Sequence, residues 1–238
     1  MQGVSPCSNW CILARMNTSL LDAVEINPLQ PPRAAIIWLH GLGADGNDFV
    51  PIADELKLPP TLKIRFIFPH APVRPITINQ GYRMRGWYDI TSLDVAGRDD
   101  DDGIIASSDA VGRLCDEQVS RGIRHDRIVL AGFSQGGAVA LHSGLRRTQR
   151  LAGIMALSCY LPRAARLETE AAAANRATPV FMAHGHVDSV VALAFGLRAR
   201  EQLEQLGYPV EWSDYPMGHS VCADEIADIR RWLIELLD

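Results

Sequence analysis

No apolar run in this chain approaches the roughly 20 residues of a membrane-spanning helix, so no integral membrane segment is expected. Basic charge is not in excess either. The chain carries 23 Lys and Arg against 28 Asp and Glu, a formal charge of −5, which leaves no electrostatic footprint for nucleic acid. The one local basic cluster, Arg146, Arg147 and Arg150, reads as the solvated end of a helix. Cysteine is sparse. Cys7, Cys11, Cys115, Cys159 and Cys222 form an odd, scattered set, unlike a disulfide framework. Cys7-x-x-x-Cys11 has no second pair of metal ligands near it and is read as incidental. The first fifteen residues lack the basic start and long apolar stretch of a secretory signal, since 10–13 is too short and only Arg15 is basic. Met16 offers an alternative start. Residues 1–18 are therefore expected to be a leader, and a reducing cytoplasm the compartment.

What the chain does have is a regular alternation of apolar runs and amphipathic stretches. Its 238 residues, 47% hydrophobic and 21% charged, suit one domain with a sizeable core, placed at 19–238. Strands are expected near 24–26, over 34–39, 64–68, 127–131, 153–157 and 179–183, and at 210–212. The run Ala34-Ala35-Ile36-Ile37-Trp38-Leu39 has the continuous apolar character of a strand buried on both faces. Helices are expected from an Asn47 cap through Leu56, over 104–117 behind the acidic run 99–102, after Gly137, over 190–206 and over 223–237. The stretch 69–98 reads as one long loop, and 161–177 as an alanine-rich excursion. The acidic run is read as helix-dipole compensation rather than as a metal site, because no other ligands converge on it. Together these features predict an α/β fold with a mostly parallel central sheet flanked by helices, whose ligands sit at the carboxyl ends of the strands.

The chemistry centres on Gly132-Phe133-Ser134-Gln135-Gly136-Gly137, which follows a strand and opens a helix. A serine on so tight a turn needs small neighbours, and glycines stand two residues before and after it, as in the G-x-S-x-G nucleophile elbow of α/β hydrolases. The turn exposes the hydroxyl and places the Gln135 N–H at a helix N-terminus, where it can receive developing negative charge. A serine hydroxyl is a poor nucleophile without a base, and the base needs a carboxylate to orient it. In the order nucleophile, acid, histidine, the loops after later strands supply Asp188 and then His219. A second oxyanion donor should come from His40-Gly41-Leu42-Gly43, with the Leu42 N–H as the best candidate.

The other histidines weigh less. His125 and His142 read as structural, His40 and His70 as hydrogen-bonding within their own turns, and His184 and His186 precede the acid. Asp214 is the rival carboxylate, but it lies too near His219 in sequence. His184-x-His186-x-Asp188 looks like a metallohydrolase cluster, yet Ser189 stands where the next histidine belongs. No metal site is therefore expected.

Across residues 36–45, 68–72, 85–90, 131–137, 157–162, 184–188 and 217–219 the chain resembles the carboxylesterase / acyl-protein thioesterase family, the phospholipase/carboxylesterase group of α/β hydrolases. The segment 73–79 with Gly81-Tyr82 is similar to its bacterial carboxylesterase branch. The resemblance implies a serine carboxylesterase without cofactor or large lid domain. Its substrates would be short- to medium-chain acyl esters, thioesters or lysophospholipid-like esters. It also implies an apolar acyl groove, formed here by Leu42, Trp87, Tyr160, Leu161 and Val191, although Trp87 and Tyr160 also suit core packing. Two positions depart from the family pattern. Ser189 stands where proline is common, and Tyr160 where eukaryotic members often have tryptophan. The alternatives are a non-catalytic binding protein on the same fold, acyl-protein thioester cleavage as the main activity, and a peptidase, which the absence of an added propeller or large lid disfavours. A homodimer is compatible with the sequence, though no self-complementary patch can be read from one chain.

Overall fold

The continuous apolar run becomes the centre of the sheet. In the computed structural model, which describes residues 10–14, 20–92 and 100–238, Ala34–Leu39 (β3) is buried at every position. It lies between Ile64–Pro69 (β4) and Ile128–Phe133 (β7), parallel to both. Cys7, Met16 and Asp99 lie outside the described residues. The remaining strands of this sheet are Trp10–Ala14 (β1), Ala23–Pro28 (β2), Gly153–Leu157 (β8), Val180–Gly185 (β9) and Val210–Tyr215 (β10). The order is β1-β2-β4-β3-β7-β8-β9-β10, antiparallel only at the β1/β2 and β2/β4 pairs. Residues 10–14, within the expected leader, thus pair along the edge of the sheet.

Strand periodicity divides the core into two layers. Ile37, Leu39 and Leu130 face Asp101–Ser120 (α2), Gln135–Arg146 (α3) and Leu193–Gln205 (α5), which contribute Leu114, Val139 and Leu203. Ile36, Trp38 and Val129 point the other way, against the short helix Ile52–Glu55 (α1) and the terminal helix Ala223–Leu237 (α6). Both faces of the sheet are covered, which is why the central strands β3, β7 and β8 show no polar alternation.

Four local expectations are corrected. Asn47 does not cap a helix. Its backbone and side-chain amides both bond Asp45 Oδ1, at 2.7 and 3.0 Å, and helix forms only from Ile52. The stretch read as one loop contains the antiparallel hairpin Val73–Ile76 (β5) and Tyr82–Arg85 (β6). Half of its residues are exposed and only Ile76 is buried, so no core periodicity marks it. Helix α2 starts at Asp101, where Asp100 caps it by accepting the Gly103 N–H at 2.9 Å. This agrees with the dipole reading of the acidic run. Helix α5 starts at Leu193 rather than near 190, because Asp188 Oδ1 takes the Val190 and Val191 N–H groups, each at 2.8 Å, into a turn.

Helix α6 is fixed by Trp232, whose ring centroid lies 5.7 Å from that of Phe181. A side chain on Gly153 would place its Cβ 2.6 Å from the same indole. Trp232→Ala should therefore lower stability by about 3–5 kcal/mol, seen as a lower urea midpoint at an unchanged m-value.

Candidate active site

Strand β7 delivers Ser134 into a backbone that serine rarely adopts, φ 55 and ψ −120. Two contacts hold it there. The Ser134 N–H bonds Leu157 O at 2.8 Å, and Ala138 N returns to Ser134 O at 3.1 Å. The flanking glycines are required by close approach. A Cβ on Gly132 would fall 2.3 Å from the Gly136 carbonyl, and one on Gly136 would fall 2.3 Å from Leu39 O and 2.6 Å from His40 O. The start of α3 is thus pressed against the end of β3. The loop that follows β3 lies beside the serine: a Cβ on Gly41 would sit 3.5 Å from Ser134 Cβ, in ordinary contact.

That loop is braced from behind. His40 donates Nδ1–H to Gly41 O at 2.7 Å and accepts the Ala71 N–H on Nε2 at 3.0 Å. Burial holds its pKa below the ordinary value, so the ring is neutral and suited to one donor and one acceptor role. His70 accepts the Gly46 N–H at 3.0 Å. Both histidines therefore tie separate loops together, rather than closing only their own turns. Within the braced loop Gly43 N bonds Arg85 O at 2.8 Å and Ala44 N bonds Gly41 O at 3.3 Å. Leu42 N–H, between them, makes no such backbone bond among the described residues. Gln135, whose N–H begins α3, is buried. Its side chain does something the sequence did not signal: Oε1 accepts Trp87 N–H and Nε2 donates to Tyr88 O, both at 2.8 Å.

Asp188 and His219 meet because two backbones nearly touch. A Cβ on Gly185, at the end of β9, would lie 2.3 Å from Gly218 O and 2.5 Å from Met217 O. Val187 N also bonds Met217 O at 3.1 Å. The Asp188 carboxylate is inaccessible to solvent, and its Oδ2 accepts His219 Nδ1–H at 2.7 Å. Its Oδ1 is filled by the two turn N–H groups described above. The proton on Nδ1 leaves Nε2 as the basic nitrogen. His219 is brought to the elbow by Phe133, whose ring centroid is 4.7 Å from the imidazole. No hydrogen bond joins the Ser134 hydroxyl to His219 among the described residues. Such bonds are often loose in unliganded sites and tighten with substrate.

The rival groups are engaged elsewhere. His186 pairs with Asp214 at the surface, and Asp214 also accepts Trp212 Nε1–H at 2.8 Å. His184 donates Nε2–H to Val191 O at 2.7 Å, with burial lowering its pKa. No group of three potential metal ligands occurs among the described residues. Of the residues expected to line an acyl groove, Trp87 is fully buried and donates Nε1–H to His40 O at 2.8 Å. In this conformation it backs the loop instead of lining an open surface. Tyr160, Leu161 and Val191 retain only about a twentieth of their surface, and Tyr160 OH bonds Tyr88 OH at 2.8 Å.

Behind the histidine loop, Glu225 is buried in the first turn of α6. Burial pushes its carboxyl up to about 8. A raised acid pKa means the folded state holds a proton that the unfolded state has lost. The contribution is fully present below pH 4.5 and is lost as pH rises toward 8. Stability of Glu225→Gln relative to wild type should therefore increase between pH 5 and pH 8.5, as measured by thermal unfolding across that range.

Comparison with known proteins identifies the family. Residues 22–237 match the phospholipase/carboxylesterase family. Acyl-protein thioesterase 1 of Neurospora crassa is 40% identical over 234 residues, covering 94% of each chain. The Cryptococcus neoformans acyl-protein thioesterase 1 is 36% identical, covering 93% of this chain and all of that one. The crystal structure of Zea mays acyl-protein thioesterase 2 superposes with a TM-score of 0.82 at 28% identity, covering 91% of this chain and 99% of the other. The chain belongs to the phospholipase/carboxylesterase family of α/β hydrolases.

Proposed function

We propose that the protein is a serine hydrolase that cleaves carboxylic esters and thioesters through an acyl-enzyme on Ser134. The observation that carries this reading is the 2.7 Å bond from His219 Nδ1–H to the buried Asp188 carboxylate, beside a serine held at φ 55. His219 Nε2 takes the Ser134 hydroxyl proton as Oγ attacks the acyl carbon. Asp188 stabilises the imidazolium and holds the ring in the required tautomer. Charge that develops on the carbonyl oxygen is received by the N–H groups of Leu42 and Gln135. The imidazolium then protonates the departing alcohol or thiol. Water, activated by the same nitrogen, releases the acid.

Thioesters are included because the fungal relatives are named acyl-protein thioesterases. Tyr160, Leu161 and Val191 meet a short- to medium-length acyl chain, and Trp87 supports the oxyanion loop from behind. We place the enzyme in the reducing cytoplasm, a reading supported by the free thiols of Cys115, Cys159 and Cys222. Among the described residues no helix is long and apolar enough to cross a membrane.

Ser134→Ala should abolish both hydrolysis of p-nitrophenyl and S-acyl thioester substrates and labelling by a fluorophosphonate, with the fold intact. Asp188→Asn should reduce kcat by about 10⁴-fold, and a chelator should have no effect. An active Ser134→Ala protein, or activity that resists the probe and fails with chelator, would sink the serine mechanism.

A further inference from the structure

Gln135 is 3% exposed, and a buried carboxamide needs partners at both its ends. It finds them on one segment: Oε1 accepts the Trp87 N–H and Nε2 donates to Tyr88 O, each at 2.8 Å. That segment in turn grips the loop after β3 on both sides of Leu42. Trp87 Nε1–H donates to His40 O and Arg85 O accepts the Gly43 N–H, again at 2.8 Å. The peptide between these two contacts, Gly41–Leu42, has its carbonyl engaged by His40 Nδ1–H at 2.7 Å. Its N–H is the end that no described backbone group takes. Packing follows the same path. A Cβ on Gly86 would fall 2.9 Å from Leu42 Cδ1 and 3.6 Å from Gln135 Oε1, so residue 86 packs against both. Ser107 of α2 holds the Trp87 carbonyl from the other side.

We propose that the Gln135 carboxamide is a positioning residue for the oxyanion donors, setting where the Leu42 N–H stands relative to the Gln135 N–H. The proposal rests on the reading of Ser134 as nucleophile and of these two N–H groups as the receivers of the oxyanion. One residue then supplies a donor through its backbone and places the other through its side chain, by way of residues 85–88 and the two contacts that flank Leu42. Such control matters because a group misplaced by about 1 Å costs of order 100-fold in rate. Glutamine suits the task because it joins an acceptor and a donor in one planar group. A carboxylate would accept the Trp87 N–H but turn a second acceptor toward the Tyr88 carbonyl. Methionine keeps the length of the side chain and makes neither bond.

The test compares Gln135→Met and Gln135→Glu with wild type in p-nitrophenyl ester hydrolysis and in inhibition by a trifluoromethyl ketone, whose adduct on Ser134 carries an oxyanion. Assayed below its unfolding midpoint, Gln135→Met should lose about 10- to 100-fold in kcat. Its KM should stay within about twofold of wild type, because the donors act on the transition state rather than on bound substrate. Affinity for the ketone should fall by the factor lost from kcat/KM. For Gln135→Glu, the ratio of its kcat to that of wild type should rise as pH falls, since the protonated acid again both accepts and donates. This second variant decides the matter if Gln135→Met does not fold. Wild-type kcat in Gln135→Met, a loss confined to KM, or a Gln135→Glu ratio that does not change with pH would each overturn the proposal. A wild-type protein that neither hydrolyses the ester nor binds the ketone would instead remove the serine-hydrolase reading, and the proposal with it.

Discussion

The site depends on one strained residue. Ser134 sits at φ 55, a conformation that costs of order 1–3 kcal/mol for a side chain other than glycine. It persists because the structure around it over-determines the turn. Strand β7 is paired on both sides, α3 is buried along almost its whole length, and Gly132 and Gly136 let the two backbones pass within contact. The same approach that strains the serine brings the end of β3 and the loop after it beside Ser134. The serine and the loop after β3 are thus positioned by one packing event.

Around this point the polar groups are satisfied in a way that leaves little freedom. Asp188 spends one oxygen on two backbone N–H groups and the other on His219, so its carboxylate is oriented before any substrate arrives. His40 links the oxyanion loop to the segment after β4, and the Gln135 amide links α3 to residues 87 and 88. A buried polar group with its partners in place rigidifies its surroundings. The loops that carry the chemistry are therefore held by hydrogen bonds from the second layer as firmly as by the sheet.

The far end of α3 follows a different rule. There the arginines pair with Glu170 and Asp116 but leave donors over, and His142 is buried with neither ring nitrogen hydrogen-bonded among the described residues. One helix thus has well-satisfied polar groups at its first turn and incompletely satisfied ones at its last.

The sequence alone determined the α/β alternation and nominated Ser134, Asp188 and His219 as candidates, the last two of which meet in the structure. Those signals are local: apolar runs, glycines at fixed offsets from a serine, and chain order. It could not place what arises between distant segments. The β5/β6 hairpin was hidden because only Ile76 of its residues is buried, so it carries no core periodicity. The start of α5 was misjudged because Asp188 captures the N–H groups of the expected first turn. The roles of His40 and the Gln135 side chain, and the burial of Arg146 and Arg147, were equally illegible, since each depends on partners 24 to 48 residues away. Periodicity fixes which faces are apolar. Only the packed structure decides which polar groups lose their water, and so which must find one another.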